Sequence, residues 1–479
     1  MATRRLRIPQ PPAQAIAQGV AAIKREMDLP LAFPPEVEAA AAQAAAAPRL
    51  PDLDRTDISL VTIDPPGAMD LDQALHVERR GDGYRVHYAI ADVGAFVAPG
   101  DPVDLEAHRR GETLYGANGK IPLHPKVLSE GAASLLPDVL RPALLWTIDL
   151  DATGEGVAVD VRRARVRSRA RLDYDGVQAQ VDAGDADPLW ALVREVGVLR
   201  EQRERRRGGI SLPLPEQEAR QGADGRWRLE FRARQPVEDW NEQLSLLTGM
   251  AAAHLMVQAK VGLLRTLPKP EPDAIARLRR TAAALDIPWP HALSYPEFIR
   301  ALDPSHPRDV AMMTACTTVL RGAGYVAFDG ALPDQPVHWP LAAEYAHATA
   351  PLRRLADRHV GELCVALCAG EPPPAWVRQA LPALPATMQA AGTRAGRYER
   401  AVLDLVEAVT LQPHLGEDYE GAIVETSPRD PRAGIVMLRA PAIEARVGGE
   451  APLPLGERVR VRLVEADPAT RTTRFAWRP

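Results

Sequence analysis

A chain of 479 residues has room for two to four domains. Its 46% hydrophobic and 25% charged residues are those of an ordinary globular protein. A net charge of −5 argues against a protein that coats nucleic acid through bulk charge, while a basic channel within an acidic exterior stays compatible with it.

No apolar run approaches the roughly eighteen residues of a membrane helix. The opening MATRRLRIPQPP lacks the apolar stretch of a secretory signal, so a cytoplasmic protein without a membrane partner is expected. The three cysteines, Cys316, Cys364 and Cys368, contain no C-x-x-C and indicate neither a disulfide framework nor a zinc site. Five lysines stand against 53 arginines, beside abundant alanine and 45 prolines. Such a bias matches GC-rich coding, so only local clusters of arginine bear on nucleic-acid binding.

Residues 13–27 carry Ile16, Val20 and Ile23 at helical spacing, and Pro35–Ala47 suits a second helix with proline at its start. A small helical module over residues 1–54, with a reduced helix-turn-helix as one form of it, is the expectation. Residues 57–175 are strand-rich, with segments at 59–63, 74–79, 84–91, 144–150 and 158–168 and a hairpin turn at Gly81-Asp82-Gly83. The stretch 161–177 is a basic strand running into a helix. Its arginines suit either a solvated face or a channel wall that neutralises phosphates.

Residues 188–207 form an amphipathic helix ending in Arg203, Arg205, Arg206 and Arg207. Cations there also favour the helix dipole. From Asp239 to Leu264 the pattern is helical, with shorter helices at 273–286, 295–302 and 307–320 and a long one over 384–412. Residues 416–479 hold five short strands, the content of an OB-type barrel. Few aromatics (Tyr419, Phe475, Trp477) are available there for base stacking. The fold class is α+β.

The chemistry starts at 60–75, LVTIDPPGAMDLDQAL. A buried strand ends at Asp64, Pro65-Pro66-Gly67 forces a turn, and the chain returns with Asp70 and Asp72 on one face if extended. Three carboxylates brought together are costly without a cation among them, and a hard divalent ion such as Mg²⁺ suits their oxygens. The bland alternative is a solvated acidic turn. Far downstream, Thr349-Ala350-Pro351 is a natural helix entry, which sets Arg353 and Arg354 at a helix N-terminus. Positive charge there opposes the dipole and calls for nearby anions. Asp357, one turn on, is placed to hold an arginine.

Thr62-Ile63-Asp64, Asp70, Asp72 and Ala74 resemble the TID-x5-D-x-D-D-A segment of the ribonuclease II and ribonuclease R (RNB) family of 3′→5′ exoribonucleases. Ala89–Val93 is similar to that family's AIAD strand, Arg110–Tyr115 to its R-x4-Y element and Ile121–Pro125 with Leu128-Ser129 to its IPMLP-x-x-LS run. Tyr345–Arg354 resembles YAHFTSPIRR. The resemblance spans roughly residues 55–412. It implies an RNB catalytic domain there, followed by an OB-type RNA-binding domain at 413–479. The two cold-shock barrels usual before the catalytic domain have no room ahead of Asp64.

The resemblance further implies release of nucleoside 5′-monophosphates from single-stranded RNA by a monomer. Asp64, Asp70 and Asp72 would hold one or two Mg²⁺ ions, with Mn²⁺ as a substitute, and Arg353 would contact the scissile phosphate. Glu399 would orient Arg353 or a water, with a surface position on a charged helix face as the alternative. Tyr115 would stack on a base, Leu212 stands where a clamping phenylalanine is usual, and Arg354 is expected near the substrate. Glu242 would meet a ribose hydroxyl or position an arginine, with a core salt bridge as the alternative, and His347 would be a core histidine in preference to an RNA contact. One departure matters: Gln73 replaces the usual fourth acid and could ligate only through its amide oxygen. A catalytically silent RNA-binding protein is therefore the alternative. A metallohydrolase of small phosphoesters fits less well with Tyr115 and the terminal barrel.

Overall fold

The computed structural model describes residues 13–116, 119–212, 216–221, 227–232, 234–439 and 442–479. Strands Leu60–Asp64, Gln73–Arg80, Gly83–Ala91, Leu140–Leu150 and Gly156–Asp173 close into one barrel. The hairpin at Gly81-Asp82 sets the register Arg80↔Gly83, and Gly81 takes a positive φ of 56° that few other residues accept. Closure comes from a parallel pairing, in which Asp64 meets Asp173. The strand pattern alone does not reveal that closure, because its partners lie more than a hundred residues apart.

Period two in the sequence becomes two buried faces. Val86, Tyr88, Ile90, Trp146 and Ile148 enter one apolar cluster, whereas the alternate Ala89, Ala91, Ala143 and Leu145 enter another. The first is covered by helices Pro188–Arg206, Pro236–Ala259 and Leu355–Cys368. Strands Gly83–Ala91 and Leu140–Leu150 pair antiparallel yet are covered on both faces, which is why they read as near-continuous apolar runs.

The helix expected over 239–264 starts at Pro236 and stops at Ala259. Lys260 turns left-handed at φ 57°, and Val261–Thr266 becomes a strand paired with Gly324–Asp329. The partner strand, remote in sequence, decides this. Helix Leu355–Cys368 begins later than the Thr-Ala-Pro entry suggests, with Arg354 as its N-cap residue. Residues 351–353 form a turn instead, with Arg354 N–H bonded to Ala350 O (2.9 Å), and Arg354 is extended: Thr113 N–H donates to Arg353 O (2.9 Å) and Leu355 N–H to Gly111 O (2.9 Å).

The expected N-terminal helical module is divided between two cores. Ile16, Val20 and Ile23 of helix Ala13–Glu26 pack with the long helix Leu384–Leu411 and the terminal barrel, whereas Val37 and Ala41 of helix Pro35–Ala46 join the second barrel cluster. The terminal barrel closes with strands Asp418–Thr426, Ala433–Arg439, Ala442–Gly449, Arg458–Asp467 and Thr472–Trp477. Phe475 is buried in its core and not free to stack on a base, and the half-buried Tyr419 packs edge-on against it. No helix among the described residues is long and apolar enough to cross a membrane.

Candidate active site

Asp64 ends its strand and is followed by the Pro65-Pro66-Gly67 turn, with Gly67 at φ +86° and Ala68 N–H bonded to Pro65 O. The returning chain is not yet a strand at Asp70. Ser134 holds it by donating its hydroxyl to Met69 O (2.6 Å) and accepting from Leu71 N–H (3.0 Å). The ladder resumes only at Gln73.

Asp72 is 4% exposed. Its Oδ1 accepts from Leu352 N–H at 2.7 Å, and its Oδ2 lies 3.5 Å from Arg353 Nε. Residues 280 apart in sequence are thus joined at one carboxylate. Burial pushes Asp72 up to about 8 and Asp64 up to about 7; Arg353 opposes both shifts, and the charge of Asp70 adds to them. The three aspartates therefore share one electrostatic neighbourhood. Asp70 is also held by a lysine: Lys120 Nζ lies 2.6 Å from Asp70 Oδ1 and 3.1 Å from Glu130 Oε1.

Arg353 stays about half exposed, with the Tyr115 hydroxyl beside it. Burial of that hydroxyl pushes the phenol up to about 12. The Tyr115 ring is 48% exposed beside the carboxylates, an open aromatic face next to a guanidinium. Arg354 is tied by two bonds to Asp357 (Nε to Oδ2 2.6 Å, Nη2 to Oδ1 2.8 Å), and Asp357 also accepts from Ala350 N–H. Asp357 thus anchors Arg354, while Arg353 is left to Asp72.

Four expected contributors are placed elsewhere. Gln73 does not face the carboxylates as a metal ligand: its Nε2 donates to Thr349 O (2.8 Å) and its Oε1 accepts from the Tyr88 hydroxyl. A half-buried amide engaged at both ends turns outward only by giving up both bonds. Leu212 forms no strand and packs half-buried against the cluster of the helices within 272–317, not toward a base. Glu399 is exposed, with no hydrogen bond or ion pair among the described residues, because the helix phase turns Tyr398 inward. His347 bonds Tyr325 (2.6 Å) and lies edge-on to Tyr345. Burial, with Arg354 and Arg265 nearby, lowers its pKa well below the usual imidazole range and favours the neutral ring.

Glu242 pairs with Arg234 at 2.7 Å. Lys120 and Ser134 escaped the sequence reading. Lys120 carried a signal nonetheless, as one of five lysines in an arginine-rich chain; a serine that braces a loop carries none.

The donor chemistry fits a hard divalent cation. Asp64 and Asp72 are carboxylates raised chiefly by burial, which Arg353 offsets only in part, and Asp64 has no hydrogen bond or ion pair among the described residues. Even so, no group of three or more His, Cys, Asp or Glu among the described residues is drawn together tightly enough to hold an ion in this conformation. Asp70 would join the set only by exchanging Lys120.

Comparison with known proteins places these features. Residues 53–368 match the RNB domain and residues 417–477 the RNase II-type exonuclease C-terminal S1 domain. Ribonuclease R of Escherichia coli is 32% identical over 373 residues, covering 74% of this chain but 43% of that protein. The chain thus spans less than half the length of that curated relative. The apo structure of Mycoplasma genitalium RNase R superposes with a TM-score of 0.85 at 18% identity, covering 97% of this chain and 78% of that one. Yeast Ssd1, a pseudonuclease, superposes with a TM-score of 0.69 at 16% identity over 93% of this chain and 57% of its own.

Proposed function

Because the chain belongs to the RNB family, with an RNase II-type S1 domain behind the catalytic fold, we propose that it is a 3′→5′ exoribonuclease. It hydrolyses single-stranded RNA to nucleoside 5′-monophosphates. The observation that carries this reading is the junction at Asp72, where the acidic turn and the arginine loop meet through Leu352 N–H and Arg353. A protein that only bound RNA would gain little from burying a carboxylate there.

In the reaction a water adds to phosphorus and the bond from phosphorus to the 3′-oxygen of the preceding nucleotide breaks. The terminal nucleotide leaves with its 5′-phosphate. Arg353, half exposed, supplies a planar donor to the phosphate that a lysine would not reproduce. Asp72, fixed by the Leu352 N–H, keeps that guanidinium in place. Tyr115 offers its open face to a base near the 3′ end, worth on the order of 1–3 kcal/mol. Asp64 and Asp72, joined by Asp70, would hold a divalent cation, with Mg²⁺ the proposed ion, to neutralise charge developing on the phosphate.

The second reading, a silent RNA-binding protein, is favoured by the neutral inward Gln73 and by Lys120 on Asp70. Incubation of 3′-labelled RNA with and without Mg²⁺ separates the two. Labelled mononucleotide released by the native chain and not by Asp72→Asn is the expected result. Binding without release at high Mg²⁺ would establish the silent protein.

A further inference from the structure

A second cavity lies at the far end of the catalytic barrel. The strand Gly156–Asp173 meets Asp64 at its last residue and lines this cavity with its first four, so most of a barrel strand separates the two. Its volume is about 840 Å³, within the range of small-molecule sites. One wall is apolar, formed by Val159, Leu247, Met250 and Leu255; the other carries Arg200, Arg203, Arg206 and Arg207.

These guanidiniums are braced, and the buried carboxylate beside them, Glu204, already accepts from Ser211 and Gln243. Arg200 is 4% exposed and donates Nη1 to Gly154 O (2.9 Å), while its buried Nε has no hydrogen-bond partner among the described residues. Arg207 donates Nε to Leu341 O (2.7 Å), and its buried Nη2 likewise has none. Arg203 pairs with Glu155, and exposed Arg206 has no ion pair among the described residues. Two carboxylates line the cavity, Glu155 and Glu344, and the first is already engaged. Burial holds Arg200 down at about 10 and lowers Arg207, and the charge of the buried Glu204 opposes both shifts only in part.

We propose that this cavity binds a nucleoside 5′-phosphate, with the phosphate on Arg206 and Arg207 and the base against Met250 and Leu255. Planar guanidiniums with spare N–H groups match phosphate oxygens, and the apolar wall matches a base. The choice of a nucleotide rests on the exoribonuclease reading, which makes this compound class the product of turnover.

The test is calorimetric titration of the full chain in EDTA with AMP, adenosine and inorganic phosphate. One AMP per chain is expected, with adenosine not binding and phosphate binding more weakly. Arg206→Gln and Arg207→Gln should each weaken AMP by about tenfold or more, while Arg353→Gln leaves it unchanged. Arg206 has no side-chain hydrogen bond or ion pair among the described residues, so an unchanged melting temperature in its variant shows that loss of binding is local. AMP binding lost in Arg353→Gln but kept in the cavity variants would overturn the proposal. Displacement of AMP by a 2′-O-methylated oligonucleotide in Arg353→Gln would also overturn it, making the cavity a strand site. Mononucleotide release from labelled RNA is scored separately: release without AMP binding sinks the cavity alone, and AMP binding without release sinks the nuclease reading alone.

Discussion

At Asp72 one carboxylate serves two elements, since it accepts the Leu352 N–H and faces the Arg353 guanidinium. Asp72→Asn keeps an acceptor for that N–H but loses the charge. Mononucleotide release should fall on the order of 10²–10³-fold, with the thermal transition little changed; retained release would remove Asp72 from the chemistry. Gln73 behaves differently. Gln73→Asp puts a carboxylate opposite the Thr349 carbonyl and loses a bond, costing about 1–3 kcal/mol. A lower melting temperature with no gain in Mg²⁺ affinity is expected, and a gain would show that position 73 reaches the ion. Lys120→Met frees Asp70 and Glu130 from their shared cation. The Mg²⁺ concentration for half-maximal activity should then fall several-fold, and an unchanged value would mean that the ammonium yields Asp70 freely.

Among the elements, the loop 345–354 is positioned by what it rests on. Gly249 of helix Pro236–Ala259 lies directly beneath it; a Cβ there would stand 2.6 Å from Ala346 O and press on the Tyr345 ring. Ala346 N–H donates to Gly249 O (3.1 Å), and Ser245 bonds Thr349 (3.0 Å). Gly249→Ala should therefore displace the arginine loop, lowering kcat more than RNA affinity. Equal loss of both would point to general unfolding, which a melting curve detects. The element scale is also where the sequence was read best. Strands at 60–64 and 83–91 and the helix at 188–206 follow from period two and period 3.6 within a residue or two. It was read worst where a remote partner intervened, as at Lys260, because the strand after it exists only against Gly324–Asp329.

For the whole molecule, the terminal barrel is not an appendage. Ile423, Val436, Leu463 and Phe475 share one apolar cluster with Leu405 and Val409 of the long helix and with Ile16 and Val20 near the start of the described chain. Ending the chain after Gln412 would expose that face of the long helix and unseat helix Ala13–Glu26. A melting temperature lower by several degrees is expected even without RNA, and an unchanged transition would show that the barrel folds independently of the rest.

The residues from 60 to 75 announce their own chemistry, because a strand, a proline-glycine turn and three nearby aspartates are all local properties. The five strands of the terminal barrel are legible for the same reason. Sequence did not show which carboxylate the arginine would meet, that Gln73 turns inward, that Glu399 faces solvent or that Lys120 reaches Asp70. Each depends on barrel closure and helix phase, which bring together groups up to 280 positions apart. Local propensity carries no information about partners at that distance; only the packed chain chooses them.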